Sequence, residues 1–313
     1  MNKLSKIYIS GHTGLIGSAL LNKLKDDKYE NLIYFNQNDL DLLDKNSVDT
    51  MFRLYRPEYV FLTAARNGGI YSNNLKAGEY LYENITIQTN IIEASRKYDV
   101  KKLLFTSASS VYPKNSVQPI KEEYFLTGLL ETSNNAYSIA KISGIEMCKA
   151  YRKQWGLNFI SAIHCNVYGE NDNFSIIDSH VLSSLMHKFY DAKLNNIPQV
   201  ELWGDGTAKR EFIHSDDLAD ALCFLMDKYN NPTQINIGVG YDVSISFLAK
   251  MLKDIMQYDG EIIWNKSYPN GTNRKLLDSS KIKNIGWEPK INLENGIKKT
   301  YKWFIDNYDN IRK

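Results

Sequence analysis

The 313-residue sequence predicts an α/β fold, a Rossmann-type doubly wound parallel sheet with a smaller, interleaved α/β domain. Three features carry that expectation. Short apolar runs alternate with amphipathic stretches through the first half, and a glycine-rich turn joins the first apolar run to a helical pattern. The second half is less regular, yet it holds no repeat, low-complexity tract or obvious linker, so any second domain is interleaved with the first.

The first strand is the apolar run Ile-Tyr-Ile within Lys6–Ser10. It ends in Gly11-His-Thr-Gly14-Leu-Ile-Gly17, after which Ser18 to Leu24 continue with helical periodicity. Strand, glycine turn and helix in this order suit a dinucleotide: glycines permit a tight turn and bring backbone amides close to a pyrophosphate, which rests on the positive end of the helix. A lone G-x-x-G-x-x-G also serves as an ordinary strand-to-helix turn. Leu32–Phe35, Tyr59–Thr63, Lys102–Thr106 and Asn158–His164 read as further buried strands, with helices near Ser47–Tyr55, Gly78–Tyr98 and Ala136–Trp155. Asp44 reads as a helix cap. Thr63-Ala64-Ala65-Arg66 supplies small residues where backbone can pass close to a cofactor, and Arg66 reads equally as a surface charge. Beyond residue 170, Ser179–Ala192, Ser215–Met226, Ser244–Met256 and Leu293–Asp306 look helical, and Gln199–Trp203 and Gln234–Ile237 look like strands.

Composition sets limits. At 43% apolar and 12% aromatic the chain can build a large core, and a net charge of +2 demands neither a nucleic-acid partner nor an acidic membrane. Cys148, Cys165 and Cys223 show no C-x-x-C pairing, which argues against a disulfide framework or a zinc site and for small core residues in a reducing compartment. No long apolar segment opens the chain and no run of about 18 apolar residues follows, so a soluble, cytoplasmic protein is expected.

Asn135-Ala-Tyr-Ser-Ile-Ala-Lys141 opens a helical run that puts Tyr137 and Lys141 four apart on one face. A nearby ammonium favours the phenolate, so the pair is expected to lower the tyrosine pKa and do acid–base work at a carbonyl or alcohol. Such a spacing also occurs by chance on many helices, and the glycine turn upstream is what gives it weight. About twenty residues past Gly17, where an acidic group would hold the ribose of NAD or an arginine the extra phosphate of NADP, stand Asn36 and Gln37.

Together with Gly68-Gly-Ile, Tyr82-Glu-Asn-Ile, Val111-Tyr-Pro-Lys114, Asn166-Val-Tyr-Gly169, Asp172-Asn-Phe, Ser179-His180-Val, Trp203-Gly-Asp-Gly, Arg210-Glu-Phe-Ile-His-Ser-Asp-Asp217 and Arg274-Lys-Leu-Leu-Asp278, these stretches resemble the extended short-chain dehydrogenase/reductases. Within them the resemblance is to the GDP-L-fucose synthase family, the GDP-4-keto-6-deoxymannose 3,5-epimerase/4-reductases, and it covers nearly the whole chain.

The resemblance implies roles. Tyr137 would protonate the C4 oxygen as a nicotinamide delivers hydride, and Lys141 would hold the nicotinamide ribose. NADP(H) or NAD(H) would lie on Gly11, His12, Thr13, Gly14, Leu15, Ile16 and Gly17, with Asn36 and Gln37 at the adenosine end. Ala64, Ala65, Thr106, Ser107, Ala108, Asn166, Tyr168 and His180 would complete the cofactor contacts. Lys188, Trp203, Arg210 and Asp278 would hold the GDP-linked sugar, with Arg210 on the diphosphate and Trp203 stacking; no metal is implied. The cofactor domain would span 1–169 plus about 213–240, the substrate domain about 170–212 plus 241–313, and two chains would pair as a homodimer.

Three positions depart from the family pattern. Ala108 stands where a Ser or Thr hydroxyl would bond the reacting oxygen, leaving Ser107 or Ser109 to reach it. Ser110 stands where a cysteine works with a histidine, matched by His180, to invert C3 and C5, and a serine hydroxyl does not exchange protons near neutral pH without strong activation. Gln37 replaces the arginine that selects NADP. The expected activity is NAD(P)H-dependent C4 reduction of a GDP-linked 4-keto-6-deoxy sugar, hexose or heptose. The alternatives are a bifunctional 3,5-epimerase/4-reductase and a dinucleotide-binding protein with little catalysis.

Overall fold

A computed structural model describes residues 1–268 and 270–312. The first half builds β1 (Ile7–Ser10), α1 (Leu15–Asp26), β2 (Leu32–Ile33), α2 (Lys45–Tyr55), β3 (Tyr59–Leu62), α3 (Ile70–Leu75), α4 (Ala77–Lys97), β4 (Lys102–Ala108), α5 (Asn135–Trp155) and β5 (Phe159–His164). The second half adds β6 (Asn166–Tyr168), α6 (Val181–Leu194), β7 (Gln199–Trp203), β8 (Lys209–Arg210), β9 (Phe212–His214), α7 (Ser215–Lys228), β10 (Ile235–Ile237), β11 (Val243–Ser244) and α8 (Ile245–Met256). It closes with β12 (Glu261–Asn265), β13 (Arg274–Lys275), α9 (Ser280–Asn284) and α10 (Leu293–Asp306).

Six strands form one parallel sheet in the order β10-β5-β4-β3-β1-β2. Its strands read as near-continuous apolar runs because helices cover both faces, α1 packing with α7 and α4 with α5 and α2. Ile7, Ile9, Phe61, Leu103 and Phe105 are fully buried between those layers. Chain order reverses beside β1, with β2 on one side and β3 on the other, and crevices at such switch points are where open α/β sheets bind ligands.

Most expected elements are present with shifted ends. Strand β2 stops at Ile33 because the chain turns at Asn36, whose carbonyl accepts from the amides of Asp39 and Leu40. Strand β4 runs on to Ala108, paired through to His164 of β5. Asp44 caps α2, accepting from the amides of Asn46 and Ser47 at 3.0 and 3.1 Å.

A second buried cluster gathers Phe174, Phe189, Leu248, Ile297 and Phe304, where α8 packs against α6 and α10, and β7 pairs with β12. The Glu211 carboxylate ties segments around the two clusters together by accepting from the amides of Gly240 and Leu277, while its carbonyl takes two bonds from Asn166. The three cysteines are free and buried, as core residues should be. No described helix is long and apolar enough to cross a membrane.

Candidate active site

Gly11 closes β1 with φ +76°, a left-handed conformation, and a Cβ there would sit 2.9 Å from Ala64 Cα at the end of β3. A Cβ on Gly17 would meet the Gly11 carbonyl oxygen at 2.1 Å, so α1 can start this close to the strand only with glycine. Gly14 caps α1 without any side-chain hydrogen bond, and no acidic residue occupies the first turn. The result is a positive helix end at the switch point, open to an anion. His12 lies beside it with its ring 4.9 Å from Tyr34 and its buried Nδ1 without a partner. Burial, and then Lys25, hold that imidazole below its ordinary pKa. Thr13 is exposed, Leu15 and Ile16 are half-buried, and Asn36 and Gln37 are exposed past β2. Ser10 braces the neighbouring strand end, its hydroxyl accepting from the amides of Thr63 and Ala64, and Ala65 is exposed beyond them. Arg66 is a surface cation paired with Glu83 at 2.8 Å. A cradle that any Cβ would fill, an uncapped helix end and an orphaned imidazole nitrogen together fit a dinucleotide.

Tyr137 and Lys141 come together near the first turn of α5, each about 95% buried, with the ammonium 5.9 Å from the phenol ring centroid. Lys141 Nζ donates to the Thr106 carbonyl at 3.1 Å and lies 4.8 Å from the Phe105 ring centroid. The expected lowering of the phenol is not met. Burial pushes Tyr137 well above its ordinary value and pushes Lys141 down to about 7, because desolvation disfavours both charged forms in a dry pocket. Tyr137 is therefore a fully loaded proton donor at neutral pH, and its hydroxyl makes no hydrogen bond among the described residues.

At the end of β4, Ala108 is half-buried, and Ser109 and Ser110 form a short 3-10 turn with Val111. The hydroxyls of Ser107 and Ser110 are both buried without partners. Ser107 shares its face of the strand with Phe105, whose ring centroid lies 4.8 Å from the Lys141 ammonium. His164, paired in register with Ala108, was not singled out from the sequence. Its Nδ1 donates to the Cys165 carbonyl at 2.8 Å, and burial, aided by Lys141 and His180, pushes it down to about 4. His180 is exposed at the start of α6, its Nε2 3.1 Å from Asn67 Nδ2.

Asn166 donates its side-chain amide to the Glu211 carbonyl, which pins the segment after β5. Tyr168 does not offer its ring to the cleft: it is 1% exposed, packs edge-on against Phe212 and His214, and donates to the Leu293 carbonyl. On the far side, Lys188 lies 5.4 Å from the Trp203 ring centroid, and Trp203 stacks on Tyr268 at 4.4 Å and 8°. Arg210 and Lys275 are register partners in adjacent strands, and burial pushes Lys275 down to about 8 and lowers Arg210 as well. Two desolvated cations on paired strands concentrate positive charge there, with Glu131 acting on both. Just before α9 the Asp278 carboxylate accepts from the amide and hydroxyl of Ser280, and its own amide donates to the Ile120 carbonyl. A cavity of about 340 Å³ between Lys114–Gln118 and Gly271–Arg274 was likewise not foreseen.

A dinucleotide cradle at the switch point, facing a buried Tyr–Lys pair, defines the class of short-chain oxidoreductases and epimerases. The chain belongs to the NAD dependent epimerase/dehydratase family, whose profile matches residues 7–238. It is 46% identical over 98% of its length, and 94% of the relative, to a putative GDP-L-fucose synthase 2 of Arabidopsis thaliana. Among solved structures it is similar to a GDP-6-OMe-4-keto-L-xylo-heptose reductase from C. jejuni, with a TM-score of 0.93, 38% identity, and 98% and 99% of the two chains covered. It is also similar to a GDP-mannoheptose C4 reductase from Campylobacter jejuni with NADP bound, at TM-score 0.89, 40% identity, and 97% and 99% coverage. Among the described residues no cluster of His, Cys, Asp or Glu could hold a metal.

Proposed function

We propose that this chain is an NAD(P)H-dependent C4 reductase of a GDP-linked 4-keto-6-deoxy sugar, hexose or heptose, that leaves C3 and C5 uninverted. The observation that carries the reading is a buried, fully protonated Tyr137 beside Lys141, in a site where Ser110 takes the place of an inverting cysteine. A nicotinamide dinucleotide held at its pyrophosphate by the Gly11–Gly17 turn would supply the hydride. Tyr137 gives its phenolic proton to the C4 oxygen and is reloaded from solvent. Lys141, fixed to the Thr106 carbonyl, sets the electrostatics around that oxygen and becomes more effective once an anionic ligand favours its charged form. Arg210 and Lys275 hold the diphosphate, and Lys188, Trp203 and Tyr268 cover the nucleotide side. The GDP assignment is supported by the relatives' names, and either NADPH or NADH fits the neutral Asn36–Gln37 corner.

The test mixes purified protein with GDP-4-keto-6-deoxymannose and NADPH or NADH in deuterated water. Nicotinamide absorbance should fall while C3 and C5 keep their protons. No oxidation of either cofactor with hexose or heptose substrates would remove the reductase reading, and rapid deuterium uptake at both carbons would restore the bifunctional one, which the retention of His180 in the cleft favours. Ala108→Ser should raise the reductive rate, since one added hydrogen bond to developing charge is worth up to a few kcal/mol in a preorganised site. No gain would mean that Ser107, Ser109 or a water already fills the role.

In the same reading, residues 1–169 plus about 213–240 bind the cofactor and the remainder binds the sugar nucleotide, in the cytoplasm. Helices α4 and α5 lie side by side and expose Tyr82 and Ile139, and two chains would pair there as an isologous homodimer. Light scattering at micromolar concentration should give twice the chain mass. A monomer mass would reject the pairing.

A further inference from the structure

The loop Asn67–Gly69 lies directly on the segment before α6. A Cβ at Gly69 would come within 2.8 Å of the Ser179 carbonyl oxygen, so the backbones approach this closely because of glycine, and one at Gly68 would meet the Asp178 carboxylate at 2.2 Å. That contact sets Asn67 against His180.

Asn73 Nδ2 lies 3.0 Å from the Gly68 carbonyl and 3.0 Å from Asn134 Oδ1, and at 3.5 Å it also reaches Asn67. An amide nitrogen carries two hydrogens, which the two closer acceptors take, and Asn67 Oδ1 is a more distant third neighbour. Asn67 Nδ2 faces His180 Nε2, at 3.1 Å. Since this amide nitrogen only donates, Nε2 must carry a lone pair, and the proton of the neutral ring sits on Nδ1. The buried Asp172 carboxylate lies close enough to His180 for the ring's charge to act on it, but no hydrogen bond joins the two. The carboxylate accepts from Ser183 and from the Asn173 amide instead.

We propose that Asn67 is a positioning residue that locks His180 as an acceptor at Nε2, withdrawing it from proton exchange at C3 and C5 so that the site reduces without inverting. The lock and the Ser110 hydroxyl act in series: one silences the histidine, the other replaces its partner. The role of the lock rests on the reductase reading, but the lock itself is measurable without substrate.

The experiment uses whole protein labelled with ¹⁵N-histidine, at a pH where imidazoles are neutral, with the His180 signals identified by their loss in His180→Gln. Wild type should show His180 as the Nδ1–H tautomer with an unprotonated, hydrogen-bonded Nε2. Asn67→Asp keeps the shape but replaces the donor by an acceptor, so the Nε2–H form should dominate. Asn67→Ala should move the ratio the same way. Functionally, Asn67→Asp combined with Ser110→Cys should raise deuterium exchange at C3 or C5 by at least about tenfold over Ser110→Cys alone, well inside the range of general acid–base effects. A wild-type His180 already in the Nε2–H form, or a tautomer unmoved by Asn67→Asp, overturns the lock. A moved tautomer with no gain in exchange overturns its catalytic meaning. Neither result bears on whether nicotinamide is consumed, which tests the reductase reading separately.

Discussion

Tyr137→Phe lowers the reductive rate by at least about a hundredfold and leaves the fold and nucleotide binding intact, as expected for loss of a general acid. The tyrosine ring is 5% exposed, so its apolar body belongs to the packing around α5, and phenylalanine preserves it. The hydroxyl has no partner among the described residues, so removing it strands no buried donor or acceptor and costs little stability. Its chemical role is not replaceable nearby: Ser107 and Ser110 are far weaker acids, and His164 is held neutral with its one proton given to the Cys165 carbonyl. Thermal melting and GDP titration report the intact fold, and single-turnover reduction reports the loss. A Phe variant with near-normal turnover would remove Tyr137 from the chemistry.

What the sequence disclosed about this site follows from which interactions are local. The glycine turn was legible because Gly17 answers to the Gly11 carbonyl a few residues away, and the four-residue spacing of Tyr137 and Lys141 is a property of one helix. Buried strands such as β3 and β4 were legible because both faces are covered, which leaves an apolar run. Lys275 was missed because its partnership with Arg210 is a strand register, set by how β8 and β13 pair, and Tyr268 was missed because its partner Trp203 lies on another element. Asn67 and His180 are 113 positions apart, and only the glycine contact between their loops joins them. The sign of the Tyr137 shift failed for a different reason: spacing reveals proximity, whereas the effective dielectric depends on every residue that excludes water from the pair.

Lys141→Met should stabilise the cofactor-free protein at neutral pH while reducing its activity by at least about a hundredfold, two effects of opposite sign from one substitution. Burial lowers the ammonium from 10.5 to about 7. Between those values the folded chain binds fewer protons than the unfolded chain, so stability rises with pH across that window, and below about pH 7 the penalty of burying the charge is present in full. A shift of this size corresponds to roughly 5 kcal/mol at most, and the Thr106 carbonyl loses its Nζ donor in the variant, which takes back about 1 kcal/mol. The melting temperature of Lys141→Met should therefore exceed that of wild type near pH 7, and the gap should close as pH approaches 10. Adding NADPH should narrow the gap at pH 7 as well, because a bound anion favours the charged lysine and returns stability to wild type alone. A variant that melts below wild type at pH 7, or a gap that widens toward pH 10, would mean that Lys141 is not desolvated in the free enzyme and that its charge already acts on Tyr137.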